Sequence, residues 1–143
     1  MLHVAIVQQS MLDEILSGRK TIESRLSSSR RTPFGQVRAG ERVYFKVSGG
    51  AYGATALISH VETFENLKPT DIAAIRRLHN ANIRGSAEYW KQKRSSRVAT
   101  LMWIHKIEAT EMGPILDDVP NWQPCSAWGV LSETLDLYPP MAA

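Results

Sequence analysis

The sequence predicts an α+β fold: a small β-barrel of about six strands with two or three peripheral helices. Three observations carry that expectation. Short β-branched or alternating apolar runs recur at 3–7, 21–25, 41–47, 54–64, 98–107 and 127–131, which is how strands with one buried face read. Between them, 10–16 and 69–78 space their apolar residues three and four apart, as a helix packed on one face does. No internal repeat, heptad or linker-like stretch interrupts the series, so all the elements are expected to share one domain.

In chain order, His3 to Val7 is a buried strand. Ser10 opens a helix, with Asp13 placed as a capping-box acid and Met11, Leu12, Ile15 and Leu16 as the apolar face. Gly18 stands where a helix ending in a left-handed residue needs it. Residues 21 to 25 resume an extended chain, with Ile22 on one side and Thr21, Glu23 and Arg25 on the other. Residues 26–40 are rich in Ser, Arg and Gly and contain Pro33, a long loop with Arg30, Arg31 and Arg38 as a basic flap. The strand at 41–47 closes at Gly49-Gly50, and the one at 54–64 is long enough to require a bend or bulge. Pro69-Thr70-Asp71 starts a helix to about Leu78 with Ile72, Ala73, Ile75 and Leu78 apolar, and residues 86–94 form a short helix. Trp103 sits in the most apolar strand and is expected in the core. Pro114, Pro120 and Pro124 break the next segment into loop before the last strand.

Composition narrows the function classes. One domain is expected over residues 1–138, with 139–143 a disordered tail. No run approaches the roughly 20 apolar residues of a membrane helix, and no basic-plus-apolar leader pattern is present, so a cytoplasmic protein without membrane contact is expected. A lone cysteine, Cys125, excludes an internal disulfide and a thiolate-rich zinc cluster. The histidines (His3, His60, His79, His105) are scattered, so neither metal nor cofactor is predicted. Charge is uneven. Residues 1–97 hold 16 Lys and Arg against 8 Asp and Glu, whereas 98–143 hold one Lys against six acids. A basic N-terminal portion attracts polyanions.

Candidate chemistry concentrates in residues 15–25, where a helix end, a glycine stop and a strand carry Lys20, Thr21, Glu23 and Arg25 within a few positions. Lys20 can contact phosphate, or serve as a base if burial lowers its pKa. Glu23 can accept from the amino group of a base, and the fork of Arg25 suits phosphate or carboxylate. A structural salt-bridge cluster would show the same residues. Lys46 can join the same cleft or be a solvated strand residue. Tyr89, Trp90, Lys91, Lys93, Arg94 and Arg97 interleave aromatics with cations, the pairing that stacks bases and holds phosphates on single strands. One of Tyr89 and Trp90 is expected instead to anchor its helix on the barrel.

The spacing Gly18, Lys20, Glu23, Arg25 resembles the G-x-K-x-x-E-x-R element of ASCH domains, and Gly40-Glu41 resembles the family's start of the next barrel strand. The resemblance covers about the first half of the chain. It implies a PUA-like barrel whose cleft, between barrel and helices, takes RNA, single-stranded nucleic acid or a modified nucleoside. The resemblance carries over Gly18, Lys20, Glu23 and Arg25 as ligand-binding residues, and the reading of the residues themselves adds Thr21, Lys46, Tyr89, Trp90 and Arg94. An alternative implied by the family is a small hydrolase, a metal-independent ribonuclease or an amidohydrolase of acylated cytidine, with Lys20 and Glu23 catalytic. The amidohydrolase branch uses a threonine where this chain has Glu23, and the acid nearest to its insertion glutamate is Glu88.

Overall fold

The computed structural model describes residues 1–132 and the strand at 137–138; the expected tail at 139–143 lies outside the described residues. One six-stranded curled sheet organises the molecule. Its strands are β1 (Leu2–Val7), β2 (Ile22–Ser27), β3 (Arg42–Val47), β4 (Tyr52–Phe64), β5 (Val98–Ala109) and, after a two-residue β6 (Gly113–Pro114), β7 (Trp128–Leu131). The spatial order is β2-β5-β4-β3-β1-β7, with β1 and β3 parallel and every other neighbouring pair antiparallel. A ribbon of β6 with β8 (Leu137–Tyr138) lies apart from it. Three helices decorate the sheet: α1 (Gln9–Leu16), α2 (Pro69–Ile83) and α3 (Ala87–Gln92). The result is a half-barrel of the expected α+β, PUA-like kind.

Alternation builds the main core. Ala5 and Val7 of β1, Val43 and Phe45 of β3, Ala54, Ala56 and Ile58 of β4, and Met102 and Ile104 of β5 bury together with Leu12 and Ile15 of α1. A second cluster joins Ile22 and Leu26 of β2 and Leu101 of β5 to Ile72, Ile75 and Ile83 of α2 and to Trp90. The long β4 does carry register shifts, after Thr55 and after Ile58, which curl the sheet.

Several elements depart from the sequence expectations. Helix α1 starts at Gln9, and its N-cap, Gln8, makes no side-chain cap bond; Asp13 instead accepts from Gln9 Nε2 at 2.9 Å. Helix α2 runs five residues past Leu78, because Ile83 is buried against β2 while Leu78 is 68% exposed. Trp103 is only half-buried, held edge-on between the rings of His60 and His79. The loop after β2 is pinned by buried Pro33 and Val37. Arg30 pairs with Glu65, so only part of the expected basic flap stays free. Among the described residues no helix is long and apolar enough to cross a membrane.

A buried polar network ties β1 to β7 and to the turn before β3. His3 is fully buried; its Nε2 lies 2.8 Å from Glu41 Oε1, and its Nδ1 lies 3.0 Å from Trp128 Nε1. An indole N–H only donates, so Nδ1 accepts and the imidazole proton sits on Nε2, facing Glu41. Burial lowers the His3 pKa despite the opposing pull of Glu41. Glu41 is raised by its own burial, but bonds from His3, from the Arg38 amide and from the N-terminus outweigh this and leave it lowered. The unfolded chain therefore takes up protons that the folded one refuses, first on His3 as pH falls below 6.5 and then on Glu41 below 4.5. The urea midpoint is expected to drop between pH 7 and pH 5, and His3→Met should flatten that slope. An unchanged slope in the variant would mean that His3 accepts its second proton in place.

Candidate functional site

Lys20 is positioned by two helix ends. Gly18, at φ +81°, turns the chain out of α1 in the left-handed region that glycine tolerates. The Lys20 amide then donates to Glu14 O, and the Thr21 amide to Asn82 O, both at 2.9 Å, which ties this turn to the end of α2. The Lys20 side chain is 3% exposed, and its Nζ donates to the Ile83 carbonyl at 2.7 Å. Ile83 is the last residue of α2, where orphan carbonyls and the helix dipole favour a cation. Burial lowers the Lys20 pKa, partly offset by the negative charge of Glu23.

Glu23 and Arg25 follow on β2, the edge strand. Glu23 is 5% exposed; its Oε1 accepts from the Ser24 amide and lies 3.4 Å from Arg25 Nε. Its Oε2 is buried with no hydrogen-bond partner, as is Arg25 Nε. The rest of the Arg25 guanidinium is engaged by the protein. It donates to Ile6 O at 3.0 Å and to Ala127 O at 3.3 Å, and it lies over the Trp128 ring at 5.1 Å. Ile6 and Ala127 are themselves bonded to each other. Arg25 thus links β2, at one end of the sheet order, to the strands at the other end.

Helix α3 forms the facing wall. Ser86 caps it by accepting from the Tyr89 amide at 3.0 Å. The Tyr89 hydroxyl meets Ser24 Oγ at 2.8 Å, and burial pushes its pKa up to about 12, so it remains a neutral phenol. Behind it, Asn80 Oδ1 accepts from the Gly85 amide at 2.8 Å and from Trp90 Nε1 at 2.9 Å, while Asn80 Nδ2 donates to Gly85 O. A Cβ at Gly85 would stand 2.7 Å from the Tyr89 ring and 2.8 Å from Trp90 Nε1, so this node sets the orientation of the whole wall.

Between these walls opens a cavity of about 550 Å³, lined by Lys20, Glu23, Ser24, Arg25, Tyr89 and Thr100 together with residues of α1 and of the loop after β2. It lies within the size range of small-ligand sites. Four of the nine ligand-binding residues expected from the sequence meet here, Lys20, Glu23, Arg25 and Tyr89, joined by Lys93 of the aromatic–cation run. The other five lie elsewhere. Gly18 and Thr21 shape the approach to Lys20 without lining the cavity; Trp90 is 3% exposed in the second core cluster; Arg94 is exposed and does not line the cavity. Lys46 borders a separate hollow of about 280 Å³ beside Tyr52 and Glu111, next to the register shift at Phe45/Lys46. Sequence reasoning did not single out Asn80, Gly85 or Thr100. Only the glycine held a signal, since its need for space depends on two aromatics that come shortly after it.

No protein-family model matches the sequence, and no curated protein is significantly similar to it. Solved structures are. The ASCH protein of Zymomonas mobilis superposes with a TM-score of 0.65 at 16% identity, covering 92% of this chain and 88% of that one. Two point mutants of the same protein give the same TM-score at 16% and 17% identity, covering 91% and 89% of their chains. Similarity at that identity establishes the fold: this chain has an ASCH-like, PUA-like architecture.

Proposed function

We propose that the chain binds RNA or a modified nucleotide in the cavity between β2 and α3. The observation that carries this reading is the carboxylate of Glu23. A buried acceptor oxygen left without a partner costs about 1–3 kcal/mol or more, and a donor from the amino or imino edge of a base would recover that bond. Lys20, with one bond to the protein for three donors, can contact the sugar or phosphate beside it. The Tyr89–Ser24 pair supplies a neutral hydrogen-bonding wall, and the Tyr89 ring an edge for stacking.

The test is a fluorescence-anisotropy titration with labelled single-stranded RNA at low and moderate salt, followed by a gel of the recovered RNA. Saturable, salt-sensitive binding to RNA that stays intact supports the binding module. No binding at low salt sinks RNA as the ligand. A second reading, a small hydrolase, is favoured by one observation: a lysine whose pKa burial lowers, beside a carboxylate in a partly open cleft, which is a pairing suited to acid–base work. Cleaved RNA, or turnover of an acylated nucleoside lost in Glu23→Gln, would establish it.

A further inference from the structure

The cations around the cavity fall into two kinds. Most are already partnered: Lys20 by the Ile83 carbonyl, Arg25 by two carbonyls and Glu23, Arg30 by Glu65, and Arg19 and Arg84 by Glu14. Arg31 and Lys93 differ. Both line the cavity, and neither forms an ion pair with any described residue. Lys93 comes from the end of α3 and reaches back until its Nζ stands 5.8 Å from the centre of the Tyr89 ring. Arg31 comes from the loop after β2, next to Thr32, which also lines the cavity. The Lys93 ammonium is half-buried, and its pKa is lowered first by that burial and then by the positive charges of Arg25 and Arg31. Three cations from three segments, Arg25, Arg31 and Lys93, thus line the same cavity, and the charges of the first two act on the third. Of the two acids that line the cavity, Glu23 lies at the floor beside Arg25, and the Glu88 carboxylate is engaged by Gln92 Nε2 at 3.4 Å.

Like charges held together at partial burial are unfavourable unless an anion joins them. We propose that Arg31 and Lys93 form an anion subsite for a phosphate group of the ligand, so that the cavity selects a phosphorylated nucleotide unit over a free nucleoside. This rests on the reading that the cavity binds a nucleic-acid base, and it assigns the phosphate to residues outside the Lys20–Arg25 strand. Arg25 is set apart from that duty because two of its N–H groups bond Ile6 O and Ala127 O, holding the two ends of the sheet together, while its Nε lies buried beside Glu23.

The experiment is a competition assay. Labelled single-stranded RNA is bound to the full chain and displaced with each of the four ribonucleosides or with its 5′-monophosphate, using wild type, Lys93→Met and Arg31→Gln. At least one monophosphate is expected to displace the RNA at a concentration roughly tenfold or more below that of its nucleoside. In the two variants that gap should close through loss of monophosphate potency, with each competitor referred to that variant's own RNA affinity. Equal potency in wild type, including no displacement by either, overturns the subsite and leaves RNA binding standing. A gap that survives both variants places the phosphate elsewhere and also overturns it. RNA that does not bind wild type at all overturns the underlying reading, and the subsite falls with it.

Discussion

Lys20→Met is expected to weaken RNA binding by roughly 10- to 150-fold at pH 7, the span of a lost charge-assisted hydrogen bond, with a melting temperature equal to or above that of wild type. The two halves of this expectation come from the same geometry. An ammonium only 3% exposed has lost most of its hydration, and the Ile83 carbonyl at 2.7 Å returns only part of it. An unbranched apolar chain of similar length fills the same channel without that penalty, and Arg25 still faces the Glu23 carboxylate, so the replacement does not leave a buried charge unpaired. Stability against pH separates the causes. Because the folded pKa of Lys20 lies below the ordinary 10.5, the unfolded chain binds more protons than the folded one in that interval. Wild-type stability therefore rises as pH climbs through the folded value toward 10.5, and below that interval the full penalty is present. Tyr89, with a pKa raised to about 12, acts in the opposite sense above pH 10, so the rise is read below pH 10. Lys20→Met should remove the Lys20 part of it, leaving the part that belongs to Lys93. Unchanged affinity together with a melting temperature lowered by several degrees would make Lys20 a structural cap of α2 instead.

Lys20 was legible in the sequence because its placement is local: a helix, a glycine and three or four residues suffice to fix where it leaves the backbone. The strands were legible for the same reason, since alternation is written into neighbouring positions. Contacts closed over long separations were not. Ser24 meets Tyr89 across 65 residues, and Arg25 bonds Ala127 across 102; no period or spacing encodes either. The fork of Arg25 looked free for an anion because its acceptors are backbone carbonyls, which have no residue identity to read. Trp103 misled for a related reason. Its strand is apolar on both sides, so the pattern alone could not tell that His60 and His79 would flank the indole at the surface. Lys46 lies away from the cavity, and only the course of the curled sheet decides which hollow it borders.

Trp90→Ala is expected to destabilise the fold by about 3–5 kcal/mol, as large aromatic truncations in cores do, and to lower the melting temperature by roughly 6–20 °C for a chain of this size. Stacking a base would require the indole to face the cavity. Instead it packs with Ile22, Ile72, Ile75, Ile83 and Leu101 while its N–H donates to Asn80. It meets the neighbouring Tyr89 ring edge-on at 5.2 Å, so it supports the ring that does line the cavity. Removing it leaves a void beneath α3 and frees the Asn80–Gly85 node that aims Tyr89. Binding should then weaken as a consequence of the lost fold, in step with the fraction unfolded. Tyr89→Phe provides the contrast: the ring and the packing stay, only the hydroxyl's bonds to Ser24 Oγ and Ser24 O disappear, and a cost of about 1 kcal/mol is expected. Urea melts of the two variants, with RNA affinity measured where each is still fully folded, decide the matter. If Trp90→Ala keeps the wild-type midpoint but loses affinity, the indole is a base-stacking surface and α3 must rotate to present it when ligand arrives.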